Sequence, residues 1–169
     1  RLGKSLGIDI VGVEKKVCNM NCIYCECGYA KFESEIGVYA DFSMAIEELR
    51  VALAKNEVDV VTFSGFGEPT LNIEIGKYIE EIKKMTKKPV CVITNSTLLH
   101  NDIFFNELQK ADIVMPSLDS INYQVFNKIN KPHKSVNLDL IKISLVNFSN
   151  QYKGKMLLEV LLVKGINDS

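Results

Sequence analysis

Val58-Asp-Val-Val-Thr-Phe-Ser64 runs directly into Gly65-Phe-Gly-Glu-Pro69, a β-branched apolar stretch ending at a glycine turn. Apolar Ile73, Ile79, Ile82 and Met85 then recur on one face, which predicts a helix over Leu71–Thr86. Pro89–Thr94 is apolar again and reads as the next strand. Strand, turn, helix and strand in that order form a crossover unit, in which the two strands lie parallel. The same alternation extends both ways. Gly7–Val13 reads as a first strand and Ser43–Asn56 as a helix with Ser43 at its N-cap. Downstream, a helix is expected over Asp102–Lys110 and a strand over Ile113–Leu118. Helices over Asn122–Ile129 and Val136–Phe148 then lead to a fifth strand over Lys155–Val163. The predicted fold is α/β, a partial (β/α)6 TIM-like barrel of parallel strands that stops after strand five. One domain, 1–169, is expected, incomplete at its C-terminal side, in a chain that opens on Arg1 and not Met.

In parallel sheets chemistry collects at the carboxyl ends of the strands. The unusual residues fall there. A cysteine loop follows strand one, Gly65–Pro69 follows strand two, and Thr94-Asn95 closes strand three. Ser117-Leu-Asp119 closes strand four, and Gly165-Ile-Asn-Asp168 follows strand five.

The cysteine loop reads Cys18-Asn-Met-Asn-Cys22-Ile-Tyr-Cys25. Cys-x3-Cys-x2-Cys packs three thiolates into eight residues, close enough for one loop to wrap an inorganic cluster. Cubane [4Fe–4S] clusters usually take four thiolates. Three leave one iron open to a small molecule, and Tyr24 sets a flat face beside it. The bland alternative is a zinc site with Cys27 as fourth ligand, although a Cys-x-Cys step chelates a tetrahedral ion awkwardly. Cys91, inside an apolar strand, reads as a buried core thiol.

Other signals carry two readings each. Gly65 and Gly67 let backbone approach a ligand while Glu68 fixes the loop, or the segment is a plain turn with Pro69 starting the helix. Ser117 and Asp119 project to one face, where they grip ribose hydroxyls or cap the next helix; Thr94 and Asn95 carry the same choice. Lys128–Lys134, with His133, reads as a solvated basic loop or as a seat for an anionic substrate group. Twenty basic against twenty-one acidic residues give a net charge of −1, which does not advertise a nucleic-acid surface. Met156–Val163 is too short to span a bilayer, so no membrane partner is expected. The absence of a basic-then-apolar leader and the clustering of cysteines fit metal binding in a reducing cytoplasm.

Taken together, these motifs resemble the radical S-adenosylmethionine (SAM) superfamily, in order, from Ile8 to Asp168. The resemblance implies that Cys18, Cys22 and Cys25 ligate a [4Fe-4S] cluster and that Tyr24 lies by the adenine of SAM. Gly65, Gly67 and Glu68, in a loop carrying an extra Phe66, would receive the methionine amino group. Asn95, Ser117 and Asp119 would serve the rest of SAM, with Ser117 at the ribose and Val163 to Asn167 at the adenine. Ser-Gly-Phe-Gly-Glu-Pro-Thr-Leu-Asn, Pro-Ser-Leu-Asp and Ile-Asn-Lys-Pro-His resemble most closely the Fe–S oxidoreductase branch related to the wybutosine tRNA-modifying enzymes. The implied chemistry is reductive cleavage of SAM to a 5′-deoxyadenosyl radical, which abstracts hydrogen from a small-molecule, RNA or protein substrate. A ferredoxin or flavodoxin would donate the electron. A glycyl-radical activating enzyme and a noncatalytic Fe–S or zinc module are the alternatives.

Overall fold

The computed structural model describes residues 2–12, 15–29 and 35–168. Five parallel strands form one sheet in the order β1-β2-β3-β4-β5: Ser5–Ile8, Val60–Phe63, Val90–Thr94, Ile113–Pro116 and Lys155–Met156. Helices α1 (Phe42–Lys55), α2 (Ile75–Met85), α3 (Asp102–Leu108), α4 (Tyr123–Asn130) and α5 (Leu138–Gln151) occupy the crossovers. Each strand lies beside its predecessor, so the sheet winds in one direction as a barrel wall does. This is the predicted partial barrel.

Alternate residues of the strands face two different cores. Val61, Phe63, Val90, Val92 and Val114 pack against the helices, where α2 contributes Ile75, Tyr78, Ile79 and Ile82. Val60, Cys91, Ile113 and Met115 form a smaller cluster on the other face, with Ile93 and Leu157 beside it. Both faces are therefore buried, as a parallel sheet requires. Cys91 is wholly buried, as its setting predicts.

Several boundaries differ from expectation. Strand one is Ser5–Ile8, earlier than the predicted 7–13, because Asp9 turns the chain by accepting from the amides of Val11 and Gly12. The predicted end at Val13 lies outside the described residues. Helix α1 is capped by Asp41, which accepts from the Met44 amide, and not by Ser43. The helix predicted from Leu71 begins as a 3-10 turn, Pro69–Leu71, and the α-helix starts only at Ile75. Strand five forms its regular ladder over two residues. Its pairing then continues through Leu157 N to Val114 O and Glu159 N to Pro116 O, at 3.0 and 2.8 Å. Among the described residues no helix is long and apolar enough to cross a membrane.

Candidate cluster and cofactor site

Three different elements hold the cysteine loop. On one side the turn after β2 grips Val17: its amide donates to Phe66 O at 2.9 Å, and its carbonyl accepts from Glu68 N at 2.8 Å. A Cβ on Gly67 would lie 1.9 Å from Val17 O, so only glycine permits this approach. Gly65 is similarly required by Asp9, whose carboxylate accepts from the Phe66 amide at 2.7 Å and whose Cγ would meet a Cβ at 2.3 Å. The two glycines thus seat protein backbone and an aspartate.

On the other side the end of α4 braces the loop. Asn21 N donates to Asn130 O and Ile23 N to Ile129 O, at 3.1 and 2.8 Å. Met20 bridges Pro132, and His133 N donates to Asn19 O at 2.9 Å. The stretch 128–134 is in part helix: Lys128 lies in α4 and Asn130 is buried, while Lys128, Lys131 and Lys134 are exposed to solvent and the backbone of residues 131–133 lies along the cysteine loop. A left-handed Lys131, with φ of 41°, ends the helix and turns the chain back.

At the bottom of the loop stands the end of β3. Glu68 is buried and accepts from Thr94 Oγ1 at 2.6 Å, Asn95 N at 2.6 Å, and Thr70 N and Oγ1 at 3.1 and 2.6 Å. Burial raises its pKa, against these four donors, which lower it. Asn95 Nδ2 donates to Asn19 Oδ1 at 2.8 Å and lies 3.8 Å from Cys18 Sγ. Lys16 is buried and donates to Gly28 O at 2.8 Å, placing a cation inside the loop.

The thiols sit half-buried. Burial pushes Cys18 up to about 12, helped by the charge of Glu68, and raises Cys22 as well. Desolvated thiols ionise only when a cation compensates them, and coordinated iron does so outright. Among the described residues no three Cys, His, Asp or Glu side chains converge on a single metal ion. Cys27 Sγ instead reaches Gly65 O at 3.5 Å. Three half-buried thiols on one short loop are soft sulfur donors of the kind that hold iron–sulfur clusters.

Beside Cys22 lies a cavity of about 580 Å³, lined by Tyr24, Met115, Ser117, Asp119 and residues 157–162. Buried Asp119 organises its wall. Tyr24 Oη and Asn130 Nδ2 donate to Oδ2, both at 2.6 Å, and the Leu161 amide donates to Oδ1 at 2.9 Å. Burial, then Cys22 and Asp119, hold the Tyr24 hydroxyl well above its ordinary pKa. Asn167 fastens the last loop: Nδ2 donates to Asp119 O and Leu161 O, and Oδ1 accepts from Val163 N at 2.6 Å. Of the residues expected to meet SAM, Tyr24, Ser117 and Asp119 line this cavity. Gly65, Gly67, Glu68 and Asn95 stand under the cysteine loop, and Val163 and Asn167 close the strand-five turn. Asp9, Asn19 and Asn130 went unnoticed in the sequence. Their partners lie far away in sequence: Asp9 bonds the Phe66 amide, Asn19 meets Asn95, and Asn130 reaches Cys22.

A one-way parallel wall packed on its crossover helices, with three thiols on the loop after its first strand, defines an α/β partial barrel. The chain belongs to the radical SAM superfamily, whose family model matches residues 16–169. It is 43% identical over its full length to a protein named GTPase Obg from Brachyspira hyodysenteriae, covering 25% of that protein. It is 37% identical, again over its full length, to a UPF0026 protein of Helicobacter pylori strain J99, covering 55% of it. The chain thus spans about half, or less, of the length of these relatives. Its fold resembles TYW1 with a lysine-pyruvate adduct bound, with a TM-score of 0.62 and 18% identity over 96% of this chain and 57% of that one. It also resembles anSMEcpe with bound AdoMet and a peptide, with a TM-score of 0.64 and 20% identity over 91% and 42% of the respective chains.

Proposed function

We propose that this chain is the catalytic core of a radical SAM enzyme. Cys18, Cys22 and Cys25 would ligate a [4Fe-4S] cluster and the adjacent cavity would receive SAM. The observation that carries this reading is the cysteine loop itself, clamped between the glycine turn and α4 with its thiols half-buried, and with its own Tyr24 in the wall of the cavity that Ser117 and Asp119 also line. When bound, the cluster and SAM supply one-electron cleavage of the sulfonium to a 5′-deoxyadenosyl radical for hydrogen abstraction.

The chain's own residues do the positioning. Tyr24, fixed by Asp119, presents its ring to the cavity, and Ser117 offers a hydroxyl at the same wall. Leu158, Val160, Leu161 and Leu162 give that wall an apolar surface, suited to a purine face and to limiting water. The turn around Val163 is pinned by Asn167, whose side chain holds Val163 N and Leu161 O and so fixes the rim where the base would lie. Gly65–Glu68 would receive the methionine amino group through main-chain oxygens. The electron would come from a ferredoxin or flavodoxin, in the cytoplasm, and the substrate would be a small molecule, an RNA or a protein. The test is anaerobic: load the full-length protein with iron and sulfide, reduce it, add SAM and measure 5′-deoxyadenosine. Product that disappears in Cys25→Ala supports the reading, whereas no product from a fully loaded parent refutes it.

A further inference from the structure

Asn130 ends α4 with its side chain buried, and neither binding SAM nor ligating iron gives it a role. Its Nδ2 donates to Asp119 Oδ2 at 2.6 Å and to Cys22 Sγ at 3.4 Å. Both acceptors are groups that carry negative charge when the site is assembled. Its Oδ1, in contrast, is buried with no hydrogen-bond partner among the described residues. A core amide kept for stability alone would satisfy both of its ends, because an orphaned buried acceptor is costly. A leucine of similar volume would fill the same space without that cost. The backbone also fixes the residue against the loop it serves, through Asn21 N to Asn130 O and Ile23 N to Ile129 O. Asn95 makes a second, longer approach, with Nδ2 3.8 Å from Cys18 Sγ.

We propose that Asn130 is a positioning residue for the cluster, whose side-chain N–H···S bond to Cys22 makes the bound cluster easier to reduce. This rests on the cluster assignment above. Reduction adds negative charge that spreads onto the ligating sulfurs. A donor aimed at one sulfur stabilises the reduced state more than the oxidised one, and hydrogen bonds to sulfur are among the levers that set such potentials. The same amide grips Asp119, so Asn130 ties the Cys22 ligand to the wall that holds Tyr24.

The experiment is a redox titration of the anaerobically loaded full-length protein and of Asn130→Leu, following the EPR signal of the reduced cluster. Asn130→Leu is expected to lower the equilibrium constant for reduction about tenfold, which for one electron is about 59 mV. A parallel measurement needs no disruptive variant. Protein labelled with 15N in asparagine side chains should show a 15N coupling in the pulsed EPR spectrum of the reduced cluster, and Asn95→Ala should retain it. An unchanged potential in loaded Asn130→Leu, or no such coupling in the labelled parent, overturns the proposal. A parent that takes up no cluster at all overturns the underlying assignment too, and that result is seen before any variant is compared.

Discussion

Replacing Gly67 with alanine puts a methyl carbon 1.9 Å from Val17 O, where ordinary contact begins at 3.4 Å, so the two backbones must part by about 1.5 Å. Neither is a flexible side chain that can swing aside. Parting breaks the bonds from Val17 N to Phe66 O and from Glu68 N to Val17 O. Each contributes about 1 kcal/mol net, and the residual overpacking adds about 1–3 kcal/mol. Gly67→Ala should therefore lose about 3–5 kcal/mol, a large part of the roughly 5–15 kcal/mol of an ordinary domain. Cys18 follows Val17 directly, so the variant should also bind less iron. Gly65→Ala is the internal comparison. Its methyl meets Asp9 Cγ, Oδ2 and Cβ at 2.3, 2.5 and 2.6 Å; Cβ is tied to the backbone and rotation of the carboxylate cannot clear it, so a loss of similar size is expected, with the bond to the Phe66 amide given up. Urea unfolding followed by circular dichroism gives the first quantity, and iron per chain after reconstitution gives the second. A Gly67→Ala protein within about 1 kcal/mol of the parent and fully loaded would refute the idea that this glycine exists to seat the cysteine loop.

Cys27→Ser should load iron as fully as the parent, because Cys27 faces Gly65 O; loss of one third or more of the bound iron would restore it as a ligand. Asp119→Ala removes the acceptor of the part-buried Tyr24 Oη and Leu161 N, which water in the cavity can replace, and leaves buried Asn130 Nδ2 with only the longer bond to Cys22 Sγ, at a cost of roughly 1–3 kcal/mol. A melting temperature unchanged from the parent would count against that network. Glu68 gives a pH signature. Its folded pKa lies above the unfolded value of about 4.3, so its stabilising contribution is complete below that value and is lost as pH rises through the folded pKa. The stability difference between the parent and Glu68→Gln should shrink with rising pH over that window, as read by urea unfolding at a series of pH values; a difference that grows would reverse the assignment.

The strand and helix order was legible because strands β2 to β4 are continuous apolar runs and α2 repeats its apolar residues at helical spacing. Polar residues at each strand's end then marked the rim. What stayed hidden was mostly side chain to backbone bonding across long sequence separations. Nothing local distinguishes Asp9 as the residue that demands a glycine at position 65, since the two meet only once β1 pairs with β2. Asn130 is 108 residues from Cys22, and no spacing rule reaches so far. Glycine in a strand-end turn signals close approach without saying of what, and what approaches Gly67 here is Val17 backbone. Strand five looked longer than its ladder because its apolar residues line an open cavity as well as a core. The N-cap of α1 fell to Asp41 over Ser43, two cap-forming residues two positions apart that composition alone does not rank.

The central claim is that three thiolates hold a cluster with one iron left open beside the Tyr24 cavity. The most direct measurement is the EPR spectrum of the anaerobically loaded, reduced protein recorded with and without SAM. A spectrum of a reduced [4Fe-4S] cluster that changes on adding SAM, with both cluster and change lost in Cys22→Ala, is the predicted result. A cluster whose spectrum SAM leaves untouched, or iron binding that survives loss of Cys22, would contradict it.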